Sequence, residues 1–217
     1  MTQQGELFSV APLDTLSFEK SAGNSGYFYI AGIDEAGRGP LAGPVMAAAV
    51  ILPAGLTIIG VDDSKKLTPD KRNTLFDVIM AQALSVGVGI STPAEIDRIN
   101  ILQATRRAML AAVLNLSQPP DYLLIDGIST IDSTIPQKTI KKGDSLSLSI
   151  AAASIIAKVT RDRIMVEMDA KYPGYGFAGH KGYGSAAHLD AIKILGPSPI
   201  HRLTFGGVKE HVHCTCS

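Results

Sequence analysis

From Gly39 to Val61 the chain carries no charged residue, a run long enough to span a bilayer, for which about 20 apolar residues suffice. Pro40, Pro44 and Pro53 interrupt it, together with Gly43, Gly55 and Gly60. Each proline removes a backbone donor, and a lone helix so broken would leave polar groups unsatisfied in lipid. Buried strands joined by turns resolve the conflict, so a globular core is expected and no membrane segment. Val45–Leu52 (VMAAAVIL) is apolar on both faces, the pattern of a central strand. Upstream, Tyr27–Ile33 (YFYIAGI) is aromatic and β-branched and reads as another strand, followed by a glycine-rich turn over Asp34–Gly43. Thr57–Val61 is a candidate third strand.

Helix signals follow. Thr68-Pro69 and Thr92-Pro93 each place a capping hydroxyl before a proline suited to a first helical position. Asn100 is a further candidate cap, before Ile101, Leu102, Thr105, Met109, Ala112, Val113 and Leu116 at helical spacing. Between and after these, Ser85–Ser91, Tyr122–Ile125 and Ile135–Ile140 read as strands. Gly143–Ala170 is the longest helical stretch, and a last helix is expected over Ser185–Leu195. Strands first, then helices alternating with strands, give an α/β layer fold: a mixed central sheet flanked by helices. The expected organisation is a flexible N-terminal extension over 1–25, one catalytic unit over 26–205 and a tail over 206–217.

The chain has 217 residues, 46% of them hydrophobic, and Lys+Arg 20 equals Asp+Glu 20. That composition supports a packed core and excludes binding of nucleic acid by bulk charge, though not by a local basic groove. The two cysteines, Cys214 and Cys216, cannot make a disulfide framework, which favours a reducing compartment. With no basic-then-apolar leader in MTQQGELFSV, the expected location is the cytoplasm.

Four acids stand where a sheet-based site would need them. Asp34 and Glu35 follow the strand 27–33, Asp126 closes the strand 122–125, and Asp144 opens the long helical stretch. Such positions converge on the carboxyl edge of an α/β sheet, where ligands bind. Carboxylates held together repel unless cations lie between them. All-oxygen donors suit Mg²⁺ or Mn²⁺, and the corresponding chemistry is two-metal hydrolysis of a phosphodiester. Taken singly, Asp126-Gly127 is also a common turn pair and Asp144 also a favourable helix-start residue. Asp34-Glu35 has no comparable structural purpose.

AGIDEAGRGPLAGPV at 31–45 resembles the signature of ribonuclease HII, the type 2 ribonuclease H of bacteria. Further similar blocks are DDSKKL at 62–67, LLIDG at 123–127 and KGDSLSLSIAAASIIAKVTRD at 142–162. YPGYGFAGHKGYG at 172–184 and SPIHRLTF at 198–205 complete the series. The resemblance implies a ribonuclease H-like fold with a helical C-terminal part. It also implies endonucleolytic cutting of the RNA strand of RNA–DNA hybrids, and cutting 5′ of ribonucleotides embedded in duplex DNA, as in ribonucleotide excision repair and primer removal. Its four metal-binding acids match Asp34, Glu35, Asp126 and Asp144. Its Gly-Arg-Gly element matches Gly37, Arg38 and Gly39, where glycines let a sugar approach and backbone groups can meet a 2′-hydroxyl. Its tyrosine, which stacks on the deoxyribose after the ribonucleotide, matches Tyr183.

Lys65 and Lys181 lie inside matched blocks and are expected phosphate contacts; His180, Lys66, Lys141, Lys142, Lys158, Arg161 and Arg163 are weaker candidates, each equally consistent with a solvated face. Asp162 is expected in a salt bridge. His211, His213, Cys214 and Cys216 are soft donors crowded without hairpin spacing, the pattern of a plain tail rather than a zinc site. Gln4–Phe8 loosely resembles the short peptides that dock on bacterial sliding clamps, and the chain is expected to act as a monomer. Two other classes fit parts of the sequence. A small-molecule metal phosphohydrolase would not need Tyr183, and a silent nucleic-acid-binding module would lack one of the four acids. Ribonuclease HIII is set aside, because it carries an extra N-terminal domain and lacks Gly-Arg-Gly.

Overall fold

The computed structural model describes residues 14–61, 64 and 67–212. Five strands form one mixed sheet: β1 (Ile30–Ala36), β2 (Val45–Ile51), β3 (Ser85–Ser91), β4 (Tyr122–Asp126) and β5 (Gln137–Ile140), in the order β3-β2-β1-β4-β5. β1 runs antiparallel to β2 and parallel to β4, which is parallel to β5. Every residue of β2 is buried, as its two-sided apolar composition requires. Ala47, Ala49 and Ile51 face one layer, and Ala48 and Val50 the other.

The first layer is helix α3 (Pro93–Leu114), which packs on β1, β2 and β3. The second is α2 (Pro69–Gln82) with α4 (Leu148–Lys171). Thr68 and Thr92 cap α2 and α3 as their sequences direct, Thr92 in a reciprocal box with Glu95. Asn100 breaks α3 into two segments: it adopts φ 65° and its side chain accepts from Gln103 N, capping the second segment. α4 crosses β1 at Gly32, where a Cβ would collide with the backbone of Ser149 and Ile150. The C-terminal part adds α5 (Phe177–His180) and α6 (Ala186–Leu195) around Ala42, Met165, Tyr175 and Phe177. Among the described residues no helix is long and apolar enough to cross a membrane.

Four expectations need correction. Thr57–Val61 forms turns, not a strand. The long helix begins at Leu148 rather than Gly143: residues Gly143–Ser145 make a separate 3-10 turn, and extended Ser147 caps α4 through Ile150 N. The flexible extension over 1–25 fails for its second half, since α1 (Ser17–Asn24) is a helix docked on the start of α4. Glu19 Oε1 accepts from Ser147 Oγ (2.6 Å), Ser149 N (3.0 Å) and Ser149 Oγ (2.7 Å), and Leu148 N donates to Thr15 O. A carboxylate at a helix N-terminus meets unsatisfied donors there. The tail boundary also shifts, because Val208 is fully buried.

Glu19→Ala strips those donors of their acceptor. It should cost about 1–3 kcal/mol, read as a lowered urea midpoint; an unchanged midpoint would mean that α1 is not anchored through this carboxylate.

Candidate active site

The parallel register pairs Ile33 with Ile125, so Asp34 and Asp126 lie one step further along neighbouring strands. Side chains alternate across a sheet. Gly32 faces α4, and Leu124 packs with Ile150 of α4, so Asp34 and Asp126 share that face at one level. Beyond β5, the turn 143–145 returns beside Asp126: Gly143 N donates to Asp126 Oδ1 at 2.6 Å, which brings its neighbour Asp144 to the same edge. Asp34 and Asp144 are buried. Asp34, Glu35 and Asp126 therefore feel one another's charge, and the turn 143–145 carries Asp144 to the same edge of the sheet.

Burial, and then the neighbouring charges of Glu35 and Asp126, push the Asp34 carboxyl well above the usual carboxylate range. Two hydrogen bonds oppose this, from Glu35 N to Oδ1 (2.7 Å) and from the Ser154 hydroxyl. Ser154 Oγ is in turn 2.8 Å from Ser64 Oγ. With Ser154 donating to the carboxylate, Ser64 is left to donate to Ser154. Among the described residues no group of three or more His, Cys, Asp or Glu side chains is placed so that it could hold a metal ion. The donor chemistry nonetheless suits a hard divalent ion: oxygens only, with Asp34 raised in energy by burial and by the like charges of Glu35 and Asp126.

Gly37-Arg38-Gly39 turns out of β1 directly beside the acids. Arg38 is exposed and its guanidinium reaches Glu35 Oε1 at 3.2 Å. Two fully buried arginines hold the turn from beneath. Arg202 donates to the carbonyls of Gly37 (2.5 Å), Arg38 (2.8 Å) and Gly43 (3.1 and 3.0 Å). Arg161 donates to those of Ala42 and Pro44, both at 3.1 Å. Burial, with Arg161 close by, lowers Arg202 to about 9, still charged at neutral pH. Gly37 sits at φ 94°, and a Cβ there would occupy the place of Arg161 Nε. Arg161 is thus a strut and not a phosphate contact, and its burial could not be read from a basic residue on a helix.

Tyr183 lies over the turn. Its Cε1 is 3.8 Å from where a Gly39 Cβ would be, and the residue is 48% exposed. A groove of about 620 Å³ runs from Tyr183 past Lys181 and His180 to Lys158, Arg163 and Arg72. Its cations are partly engaged. Lys181 Nζ donates to Ala178 O, Lys158 pairs with Asp162 at 2.8 Å as expected for Asp162, and Arg163 stacks on Phe76 at 4.4 Å. Lys65 and Lys66 lie outside the described residues, as do Gln4–Phe8 and His213–Cys216. Sequence reasoning passed over Ser64, Ser154, Arg202, His188 and His201. Ser64, Ser154, His201 and Arg202 lie inside the similar blocks DDSKKL, 142–162 and SPIHRLTF, but only as members of a block; His188 lies outside all of them.

A sheet of this topology with acids at the ends of β1 and β4 defines a ribonuclease H-type nuclease fold. A ribonuclease H2 from Pyrococcus horikoshii superposes with a TM-score of 0.71 at 30% identity, covering 84% of this chain and 96% of that one. A ribonuclease HII from Archaeoglobus fulgidus, solved in complex with PCNA, gives 0.69 at 25% identity, covering 82% and 95%. In sequence, the Ribonuclease HII of Pelobacter propionicus is 68% identical over 215 residues, 99% of this chain and 98% of its own. The Ribonuclease HII family profile matches residues 31–208. The chain belongs to the ribonuclease HII family, and it is an enzyme, an endonuclease of the ribonuclease H class.

The crowding of carboxylates has a measurable consequence. Asp34→Asn keeps shape and an acceptor but removes the buried charge. In EDTA at pH 7 the variant should be more stable to denaturant than wild type. A carboxyl whose folded pKa is raised favours folding at low pH and loses that contribution as pH rises through the folded value. The variant's advantage should therefore shrink toward pH 4. A less stable variant at pH 7 would contradict the electrostatic description of the site.

Proposed function

We propose that Asp34, Glu35, Asp126 and Asp144 hold two divalent ions, Mn²⁺ or Mg²⁺, and that the enzyme hydrolyses the RNA strand of RNA–DNA hybrids and cuts 5′ of ribonucleotides embedded in duplex DNA. The observation that carries this reading is the placing of Asp34 and Asp126 at one level beneath α4, with the Gly37–Gly39 turn and the Tyr183 ring beside them. When bound, the ions supply an activated water and stabilisation of the leaving oxygen. The four carboxylates position them, and Ser154 with Ser64 orients Asp34.

Gly37, Arg38 and Gly39 meet the ribonucleotide: the turn lets the backbone approach a 2′-hydroxyl, and exposed Arg38 grips the adjacent phosphate. Tyr183 lies against the next sugar, whose deoxyribose face an aromatic ring tolerates. Lys65 and Lys181 contact flanking phosphates. Together the turn and the ring define an RNA-to-DNA junction, which neither defines alone. Ribonucleotide excision repair and primer removal in the cytoplasm follow as the cellular setting, with the enzyme acting as a monomer. The Archaeoglobus relative was solved with PCNA, which supports a sliding-clamp contact here, assigned to Gln4–Phe8.

The test is a DNA duplex with one ribonucleotide, incubated with and without Mn²⁺ and end-mapped. Metal-dependent cutting on the 5′ side should leave 3′-hydroxyl and 5′-phosphate ends. A 2′,3′-cyclic phosphate would mean attack by the 2′-hydroxyl and would refute the two-ion route. Tyr183→Ala removes a stacking platform worth about 1–3 kcal/mol by analogy with base–aromatic stacking. Cutting at the single ribonucleotide should fall about tenfold or more with Mn²⁺ binding unchanged; a wild-type rate would make the ring a packing residue.

A further inference from the structure

The Tyr183 ring is half exposed, so its place is set mainly by its backbone. That backbone is unusual. Lys181 (φ 51°) and Gly182 (φ 83°) are consecutive left-handed residues, a conformation that costs a lysine free energy unless neighbours hold it. Gly182 O accepts from Leu41 N (2.8 Å), and Gly182 N donates to His180 Nδ1 (3.1 Å). The Tyr183 carbonyl is 2.8 Å from His188 Nδ1 and also accepts from Ser185 N.

His188 continues into a second buried imidazole: its Nε2 lies 3.0 Å from His201 Nε2, and His201 Nδ1 lies 2.9 Å from Ser198 N and 2.8 Å from Ser198 Oγ. The two ends of this chain fix the protons within it. Ser198 N–H can only donate, so His201 Nδ1 is bare and a neutral His201 carries its proton on Nε2. That proton points at His188 Nε2, which must be bare, so His188 carries its proton on Nδ1. There it meets the Tyr183 carbonyl, which can only accept. A second proton on either ring would set two donors face to face. Burial lowers the pKa of both rings, that of His201 to about 4, so the neutral pair prevails at neutral pH. The titratable groups around the pair are His180, stacked on His188 with centroids 4.3 Å apart, and Tyr175, 5.1 Å from His201. The same segment leads into Arg202, which grips Gly37 and Arg38.

We propose that His188 and His201 are positioning residues: a one-directional pair of neutral imidazoles that fixes the Tyr183 carbonyl, and through it the ring, so that discrimination of the RNA-to-DNA junction depends on two histidines that touch no substrate. This rests on the junction-reading role of Tyr183 given above.

The experiment compares kcat/KM on a duplex with one ribonucleotide against a uniform RNA–DNA hybrid, and reads the ratio. His188→Phe keeps a ring but loses both nitrogens. His188→Asn keeps an amide donor at the level of Nδ1. The ratio should fall about tenfold, the scale of one lost buried hydrogen bond, in His188→Phe and recover most of that in His188→Asn. His188→Phe should add nothing further to the ratio in a Tyr183→Ala background. If Tyr183→Ala lowers the ratio and His188→Phe does not, or if His188→Phe weakens both substrates equally, the relay is overturned while the reading of Tyr183 stands. If Tyr183→Ala leaves the ratio unchanged, that reading fails and the relay falls with it. Should His188→Phe not fold, ¹⁵N-histidine NMR of the wild-type protein decides separately. Protons on Nδ1 of His188 and Nε2 of His201 support the chain; a proton on Nε2 of His188 overturns it.

Discussion

Two guanidinium groups, those of Arg161 and Arg202, lie wholly out of water and take as hydrogen-bond partners the carbonyls of one short turn, residues 37 to 44. Burying a charge costs several kcal/mol unless strong hydrogen bonds offset it, and charge-assisted bonds to carbonyls are of that kind. The turn is consequently specified from two distant parts of the chain, the middle of α4 and the segment after α6. Gly37 must be glycine because a side chain would displace Arg161. Through this turn the edge of the sheet, which carries the acids, is fixed relative to the C-terminal part, which carries Tyr183. Loss of either guanidinium would leave carbonyls without donors and free the two halves of the site to drift apart.

The acids themselves sit in tension with stability. Asp34 is placed by the parallel pairing of β1 with β4, then buried under α4 beside like charges. A fold selected for stability alone would put a neutral residue there. Ser154 and Ser64 relieve part of that cost with hydroxyls, and a bound cation would relieve more. Glu19 plays a related part at one remove: by capping the start of α4 it steadies the turn that presents Asp144.

What could be read from the residues is what depends on near neighbours. β2 was legible from a two-sided apolar run, the starts of α2 and α3 from Thr-Pro pairs, and the break in α3 from Asn100. The shared level of Asp34 and Asp126 was legible because the ends of parallel strands point to one edge of a sheet. Roles set by residues far away in sequence were not. Arg161 looks like any cation on a helix, yet its partners are Ala42 and Pro44, more than a hundred residues away. α1 is only eight residues long, too short for its Phe18–Ala22 spacing to announce it, and it is attached through the distant contacts of Glu19 and Phe18. His188 and His201 are thirteen residues apart, and only the packing of α6 brings them together.

Diffraction from crystals soaked in Mn²⁺, with anomalous differences collected, tests the proposed centre most directly. On the two-ion reading, anomalous density should appear within about 2.0–2.2 Å of an Asp34 oxygen, the span of small hard-ion–oxygen bonds. Asp126, Glu35 and Asp144 should supply the other protein ligands. Manganese bound elsewhere, with Asp34 remaining hydrogen-bonded only to Glu35 N and Ser154, would contradict the assignment of these four acids.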